Sequence, residues 1–275
     1  MHNYLYDQNN IRCNLVKTKG EKGINWLFVP GGAGIDSRYL HGLIKHLDLP
    51  GNIWLIDLPG NGDHMLNVDP HYNYDLWFDI FKDFVMRFDN PVIVGHSFGG
   101  MLGLLIPELE DKLVGFVALN SSPSLWMEVA AQAAKEVNKP DLTAEMGEFV
   151  QNPCQATFDT ALKACFPYYF ADTHMQQGTE LFIGLPFPYK AAVWCQQKLI
   201  GMNYSAQWFP KTMPMLIISG TEDYICHYSL FKNDARFQRA NITHSLIDGA
   251  GHFPWLEKPK QVAQAFEDFV KYIKI

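Results

Sequence analysis

The sequence predicts an α/β fold: a mostly parallel sheet with helices on both faces and an inserted helical cap. Three observations carry this. Short β-branched or aromatic runs alternate with stretches of helical periodicity over residues 1–121. Strand signals then vanish between residues 122 and 212, where helical stretches are separated by Pro and Gly. The alternation returns at Pro214-Met215-Leu216-Ile217-Ile218 and runs to the end. The expected organisation is a core of residues 1–121 and 213–275 with a cap of residues 122–212.

The elements follow in order. Residues 4–6 and 11–16 flank Asp7-Gln8-Asn9-Asn10 and read as a hairpin, hence an antiparallel sheet edge. Strands are expected at 25–29, 52–56, 91–94, 113–119, 214–218 and 244–247. Helices are expected at 37–47, with Leu40, Leu43, Ile44 and Leu47 inward, and at 74–88, with Leu76, Phe81, Phe84, Val85 and Phe88 inward. Further helices are expected at 98–108 and 254–272. In the insertion, 125–137, 142–150, 157–165 and 188–200 read as helical. The insertion leaves the sheet at the carboxyl end of a strand, at Leu119, so it is expected to cover the strand ends. Those ends are where open parallel sheets bind ligands.

Composition narrows the classes. A chain of 275 residues buries roughly three quarters of its unfolded surface and needs no disulfide or metal to fold. A formal net charge of -7 argues against a nucleic-acid partner, which requires a basic patch. The five cysteines contain no C-x-x-C pair, so neither a disulfide framework nor a zinc site is expected. MHNYLYDQNN carries no signal-peptide pattern, and no apolar run is long enough to span a membrane; a cytoplasmic setting is expected. The Asn-x-Ser/Thr triplets at Asn120, Asn203 and Asn241 then read as chance.

Chemistry is concentrated at strand ends. In PVIVGHSFGG a β-branched strand breaks at Gly95-His96-Ser97-Phe98-Gly99 and continues as a helix. A sharp strand-to-helix turn of this kind lifts a serine hydroxyl into the open, and flanking glycines leave room for close packing. A serine hydroxyl is a weak nucleophile until a base takes its proton. His252, in Asp248-Gly249-Ala250-Gly251-His252, lies between a strand and the last helix and is the expected base. The other nine histidines fit less well; His96, beside Ser97, is expected to point away from the hydroxyl. An acid is needed to orient the imidazole. Glu222 or Asp223 of Ser219-Gly220-Thr221-Glu222-Asp223 can serve; Asp223 is preferred as deeper in the turn, with Asp248 next. Two backbone N–H donors, Phe98 and Gly32 of Pro30-Gly31-Gly32-Ala33-Gly34, are the expected oxyanion hole. That glycine loop is not a phosphate cradle: no Lys-Ser/Thr follows it.

With these residues assembled, the chain resembles the α/β-hydrolase superfamily over nearly its full length. The matching segments are GHSFGG, SGTED, DGAGHFPWLEKP, DLPGNG and PGGAG. The resemblance implies a core with a helical cap, a triad of Ser97, His252 and Asp223, and no cofactor. PGGAGIDSRYL is similar to the glycine loop of proline iminopeptidases, with Tyr39-Leu40 matching a Tyr-Leu pair. Pro30 and Ala33 replace the His and Pro of that loop, and Asn61 and Asp63 stand where many relatives have His and Ser. Iminopeptidases hold a substrate amine with cap carboxylates; by region, Glu128, Glu136, Glu145, Glu148, Asp159, Asp172 and Glu180 are the candidates.

The expected activity is hydrolysis of a small or medium carboxylic ester or related acyl compound through an acyl-enzyme on Ser97. The alternatives are an iminopeptidase-like aminopeptidase and a ligand-binding protein with little turnover. The partner is a small-molecule substrate; no metal is expected, and oligomeric state carries no signal. Trp126, Phe166 and Tyr169 represent the cap aromatics expected to line an apolar substrate pocket, with Met127, Met146 and Met175 making it adaptable.

Overall fold

The computed structural model describes residues 4–20, 23–67, 69 and 71–274. Eight strands form one sheet: β1 (Leu5–Tyr6), β2 (Arg12–Lys19), β3 (Asn25–Val29), β4 (Gly51–Asp57), β5 (Pro91–His96), β6 (Gly115–Leu119), β7 (Met215–Gly220) and β8 (Ile242–Ile247). Their order is β1-β2-β4-β3-β5-β6-β7-β8. β1 and β2 are antiparallel and form the edge; every pairing from β4 to β8 is parallel.

The alternation of side chains along these strands explains the two cores. Leu27, Ile93, Ala118 and Ile217 face one side and meet Trp77 and Phe81. Trp26, Phe28, Val94, Val117, Leu119 and Ile218 face the other and meet Trp255 and Phe266. A strand buried on both faces reads as an unbroken apolar run, as β3, β5, β6 and β7 do.

Several helix boundaries differ from expectation. Residues 37–47 form a 3₁₀ turn, Ser37–Leu40, and a single α turn, His41–Ile44. The helix expected from residue 74 opens with a 3₁₀ turn, Tyr74–Leu76, before Trp77–Met86. The tighter winding shifts the phase, so Leu76 is exposed and Trp77 is buried in its place. The helix after β5 ends at Leu104, because Pro107 starts a separate 3₁₀ turn. The last helix is split into Pro254–Glu257 and Pro259–Val270, since Pro259 has no N–H to continue the first piece.

Between β6 and β7 the chain is helical. Met127–Glu136, Thr143–Gln151, Gln155–Ala164 and Tyr189–Gly201 match expected stretches. Phe166–Tyr169 and Met175–Phe182 were not expected, because Pro167 and Gly178 interrupt their periodicity. The two ends of the insertion are tied together: Ser124 bridges Ser205, and Ala206 N–H donates to Pro123 O at 2.7 Å. No described helix is long and apolar enough to cross a membrane.

Candidate active site

The site is built from the carboxyl ends of β3, β5, β6, β7 and β8. At the end of β5, Ser97 takes φ 51° and ψ -119°, a backbone state that L side chains rarely adopt. What holds it there is close packing of strand, helix and the neighbouring loop. A Cβ on Gly99 would sit 2.5 Å from Val29 O, so the helix after Ser97 touches the backbone of β3 directly.

His252 follows β8, and Asp223 follows β7. His252 Nδ1 and Asp223 Oδ2 are 2.9 Å apart, both fully buried. The second Asp223 oxygen accepts the backbone N–H groups of Ile225 and Cys226, each at 2.9 Å. Burial raises the Asp223 carboxyl, but the His252 ring and these hydrogen bonds outweigh it and hold its pKa below the usual carboxylate value. Among the described residues neither Glu222 nor Asp248 bonds His252; Asp248 meets Thr221 Oγ1, at 3.5 Å. His227 is held in its own loop by Ser229.

Ser97 and His252 line one small cavity of about 20 Å³, together with Gly31, Gly32, Tyr169, Phe182 and Phe187. Cys226 lies beside Ser97: burial and then the Asp223 charge push its thiol well above the ordinary value, while a hydrogen bond with Ser97 opposes them. Its sulfur therefore stays a neutral thiol. Gly32 has φ 62°, and its N–H and that of Phe98 have no backbone acceptor among the described residues. The neighbouring Gly31 N–H is used, donating to Tyr39 Oη at 2.8 Å.

Three supports escaped the sequence reading. Asn120, directly after β6, donates from Nδ2 to Asp223 Oδ2 at 2.8 Å and to Gly251 O at 3.0 Å. It is fully buried, so its triplet is no glycosylation site as folded. The available signal was an Asn directly after an apolar strand, a residue type that tolerates the left-handed φ of 42° found here. His96 does point away from the serine: Nδ1 lies 2.6 Å from Tyr39 Oη, and Nε2 lies 3.0 Å from His252 O. A carbonyl only accepts, so Nε2 carries the proton and Nδ1 accepts from Tyr39. Glu257 accepts the N–H of Ala171, in the insertion, at 2.8 Å, and through its other oxygen the N–H of Gly251, beside His252.

A buried charge cluster anchors the glycine loop. Arg12 pairs with Asp36 at 3.0 Å and Asp57 at 2.8 Å, and also with Asp63. Asp57 in turn accepts from Ser37 N and Oγ. Burial raises the Asp57 carboxyl to about 6 despite the Arg12 charge.

The three expected cap aromatics separate. Tyr169 lines the Ser97 cavity, its ring 5.2 Å from that of His252, and its carbonyl accepts His252 N–H at 2.6 Å. Phe166 does not reach that cavity; it packs on Phe182 at 5.1 Å and lines a neighbouring one. Trp126 lines a third cavity with Tyr168 and Tyr224. Aromatic character led all three to be expected in one pocket, yet three separate spaces adjoin the insertion, and only the packing assigns each ring to one.

This combination of fold and strand-end residues has a counterpart among known proteins. The sequence profile of the alpha/beta hydrolase family matches residues 26–265. The chain belongs to that family. Its fold is also that of a proline iminopeptidase from Mycobacterium smegmatis, with a TM-score of 0.66 at 16% identity, covering 98% of this chain and 96% of that one. A proline iminopeptidase-related protein from Thermus thermophilus gives 0.71 at 16% identity, with 98% and 96% covered. An esterase from Exiguobacterium antarcticum gives 0.66 at 12% identity, with 98% and 100% covered. No curated protein matches in sequence. At these identities the structural likeness speaks to the α/β-hydrolase fold alone.

Proposed function

We propose that this α/β hydrolase is a serine hydrolase that cleaves a small or medium carboxylic ester or related acyl compound and uses no cofactor. The observation that carries the reading is the buried His252–Asp223 pair, 2.9 Å long, whose histidine lines the same cavity as Ser97.

The steps follow from that geometry. With Asp223 bonded at Nδ1, the imidazole keeps its proton there and presents Nε2 as the base. Ser97 Oγ attacks the carbonyl carbon as His252 takes its proton. The developing oxyanion is held by Gly32 N–H and Phe98 N–H, each worth about 3–4 kcal/mol in such sites. His252 returns the proton to the leaving alcohol as the C–O bond breaks. Water, deprotonated by the same imidazole, then releases the acid from Ser97. We take residues 122–212 as the cap closing the site over a core of residues 1–121 and 213–275.

The aminopeptidase reading requires a carboxylate facing the substrate amine. Among the described residues, none of the seven cap candidates lines the Ser97 cavity; Asp159 lines the neighbouring cavity beyond Phe182 and Phe187, where it is exposed. The esterase reading is therefore preferred.

The test is a set of nitrophenyl esters beside free-amine and blocked prolyl anilides, with wild type and Ser97→Ala, and labelling by a fluorophosphonate. Ester turnover and labelling, both lost in Ser97→Ala while its melting temperature is kept, are expected. Turnover surviving in that variant sinks the mechanism. Cleavage of free-amine anilides alone moves the protein to the aminopeptidases, and absence of labelling and of any turnover favours a binding protein.

A further inference from the structure

The Ser97 cavity, about 20 Å³, holds roughly one water molecule and no acyl group. A substrate must therefore displace part of its wall. Two walls are candidates, since two larger spaces lie under the insertion. One, of about 780 Å³, shares no lining residue with the Ser97 cavity. The other, of about 420 Å³, shares Phe182 and Phe187 with it. Its volume falls within the roughly 300–1,000 Å³ typical of small-molecule sites. Its walls include the apolar Met65, Leu162, Phe166 and Leu185 and the exposed Gln155, Asp159 and Lys163.

Phe187 is the less enclosed part of this partition: its ring meets that of Phe158, whereas Phe182 meets Phe166, Tyr169, Phe170 and Phe253. Its ring presses on the glycine loop: a Cβ on Gly32 would lie 2.5 Å from Phe187 Cζ. The backbone around it is pinned. Pro186 O accepts Asp36 N–H at 3.3 Å, and Pro188 O sits 3.1 Å from where a Gly34 Cβ would be. Flanking prolines fix φ on both sides. With the backbone pinned, opening this wall requires rotation of the side chain about χ1 and no movement of the loop.

Direction follows from the chemistry. A leaving group must stay near His252, which protonates it. Phe187 stands over Gly32, on the oxyanion side, and His252 does not line the 420 Å³ cavity. The group that passes Phe187 is thus the acyl chain. Building on the serine-hydrolase reading, we propose that this cavity is the acyl-chain pocket, that its apolar wall of Leu162, Phe166 and Leu185 takes an aliphatic chain of medium length, and that Phe187 is the side chain that gates it.

The experiment compares kcat/KM for nitrophenyl octanoate and nitrophenyl acetate in wild type, Phe187→Ala and Leu185→Trp, with binding of sodium octanoate to each in a Ser97→Ala background by calorimetry. Phe187→Ala is expected to raise the octanoate-to-acetate ratio about tenfold or more, and Leu185→Trp, which fills the pocket, to lower it by about as much. Octanoate binding is expected to move in the same directions. Ser97-dependent turnover with ratios unmoved in both variants overturns the pocket and leaves the hydrolase reading standing. Octanoate binding that follows the variants without any Ser97-dependent turnover keeps the aliphatic pocket and overturns the hydrolase reading.

Discussion

Asn120 and His252 donate to the same oxygen. Asn120 Nδ2 lies 2.8 Å and His252 Nδ1 lies 2.9 Å from Asp223 Oδ2. Three strand ends, β6, β7 and β8, thus converge on one atom. Asn120 holds the carboxylate in place for the histidine without touching any reacting group.

Removing that donor has a defined consequence. A hydrogen bond to a charged group is worth about 1.5–3 kcal/mol, so Asn120→Ala is expected to lower kcat roughly tenfold or more. It also removes one of the influences that depress the Asp223 pKa. A carboxylate with a depressed folded pKa contributes stability that is present above its unfolded pKa and lost as pH falls through the folded one. With Asn120 gone, that loss moves to higher pH. The acid limb of the kcat/KM profile should shift the same way; an unmoved limb with normal kcat would show Asn120 to be packing alone.

His96 makes stability depend on pH in a second way. Burial, then the nearby His252, hold its pKa well below the ordinary histidine value. The unfolded chain binds a proton near pH 6.5 that the folded chain refuses, so stability falls as pH drops below about 6.5 and keeps falling toward the folded pKa. Chemical denaturation of wild type and His96→Gln at about pH 7.5 and about pH 5.5 checks this. The variant is expected to lose stability at both, and less steeply on acidification. Parallel slopes would assign the dependence to other groups.

Glu257 ties the insertion to the histidine loop through Ala171 and Gly251. Burial raises its carboxyl pKa above the ordinary glutamate value, against the two N–H donors. Glu257→Gln keeps one acceptor oxygen and turns an amide N–H₂ toward the other donor. We expect a loss of about 1–3 kcal/mol in stability and a fall in kcat larger than any change in KM. A variant with wild-type kcat would mean that this clamp positions the insertion but not His252.

Arg12 supports the glycine loop from the opposite side. Arg12→Met leaves Asp57 buried without its cation, while Asp36 keeps Arg38; the change is expected to cost about 3–5 kcal/mol at neutral pH. Asp57 already titrates at about 6. In the variant it protonates more readily still, so the folded state binds more protons than the unfolded one and the deficit narrows as pH falls. Urea melts of both proteins at about pH 7.5 and about pH 5 measure it; a deficit that widens on acidification would refute the account.

The sequence by itself determined the layered fold and the strand ends on which chemistry could be mounted. Apolar runs with period 2, helical stretches with period 3.6 and a Gly-x-Ser-x-Gly turn between them are local properties, readable from a few residues. They located Ser97 at an elbow, His252 on the loop after β8 and the candidate acids Glu222 and Asp223 on the loop after β7. Only the tertiary structure shows that Asp223 is the one bonded to His252, because that pairing rests on contacts from residue 120 and residue 252. It recruited Asn120, Tyr39 and Glu257 through bonds spanning dozens of residues or more. It also sent Phe166 and Trp126 to cavities away from Ser97 and brought Phe187 over Gly32. Periodicity reports whether a side chain is buried. Which cavity it faces depends on how helices pack against one another, and that is a property of the whole fold.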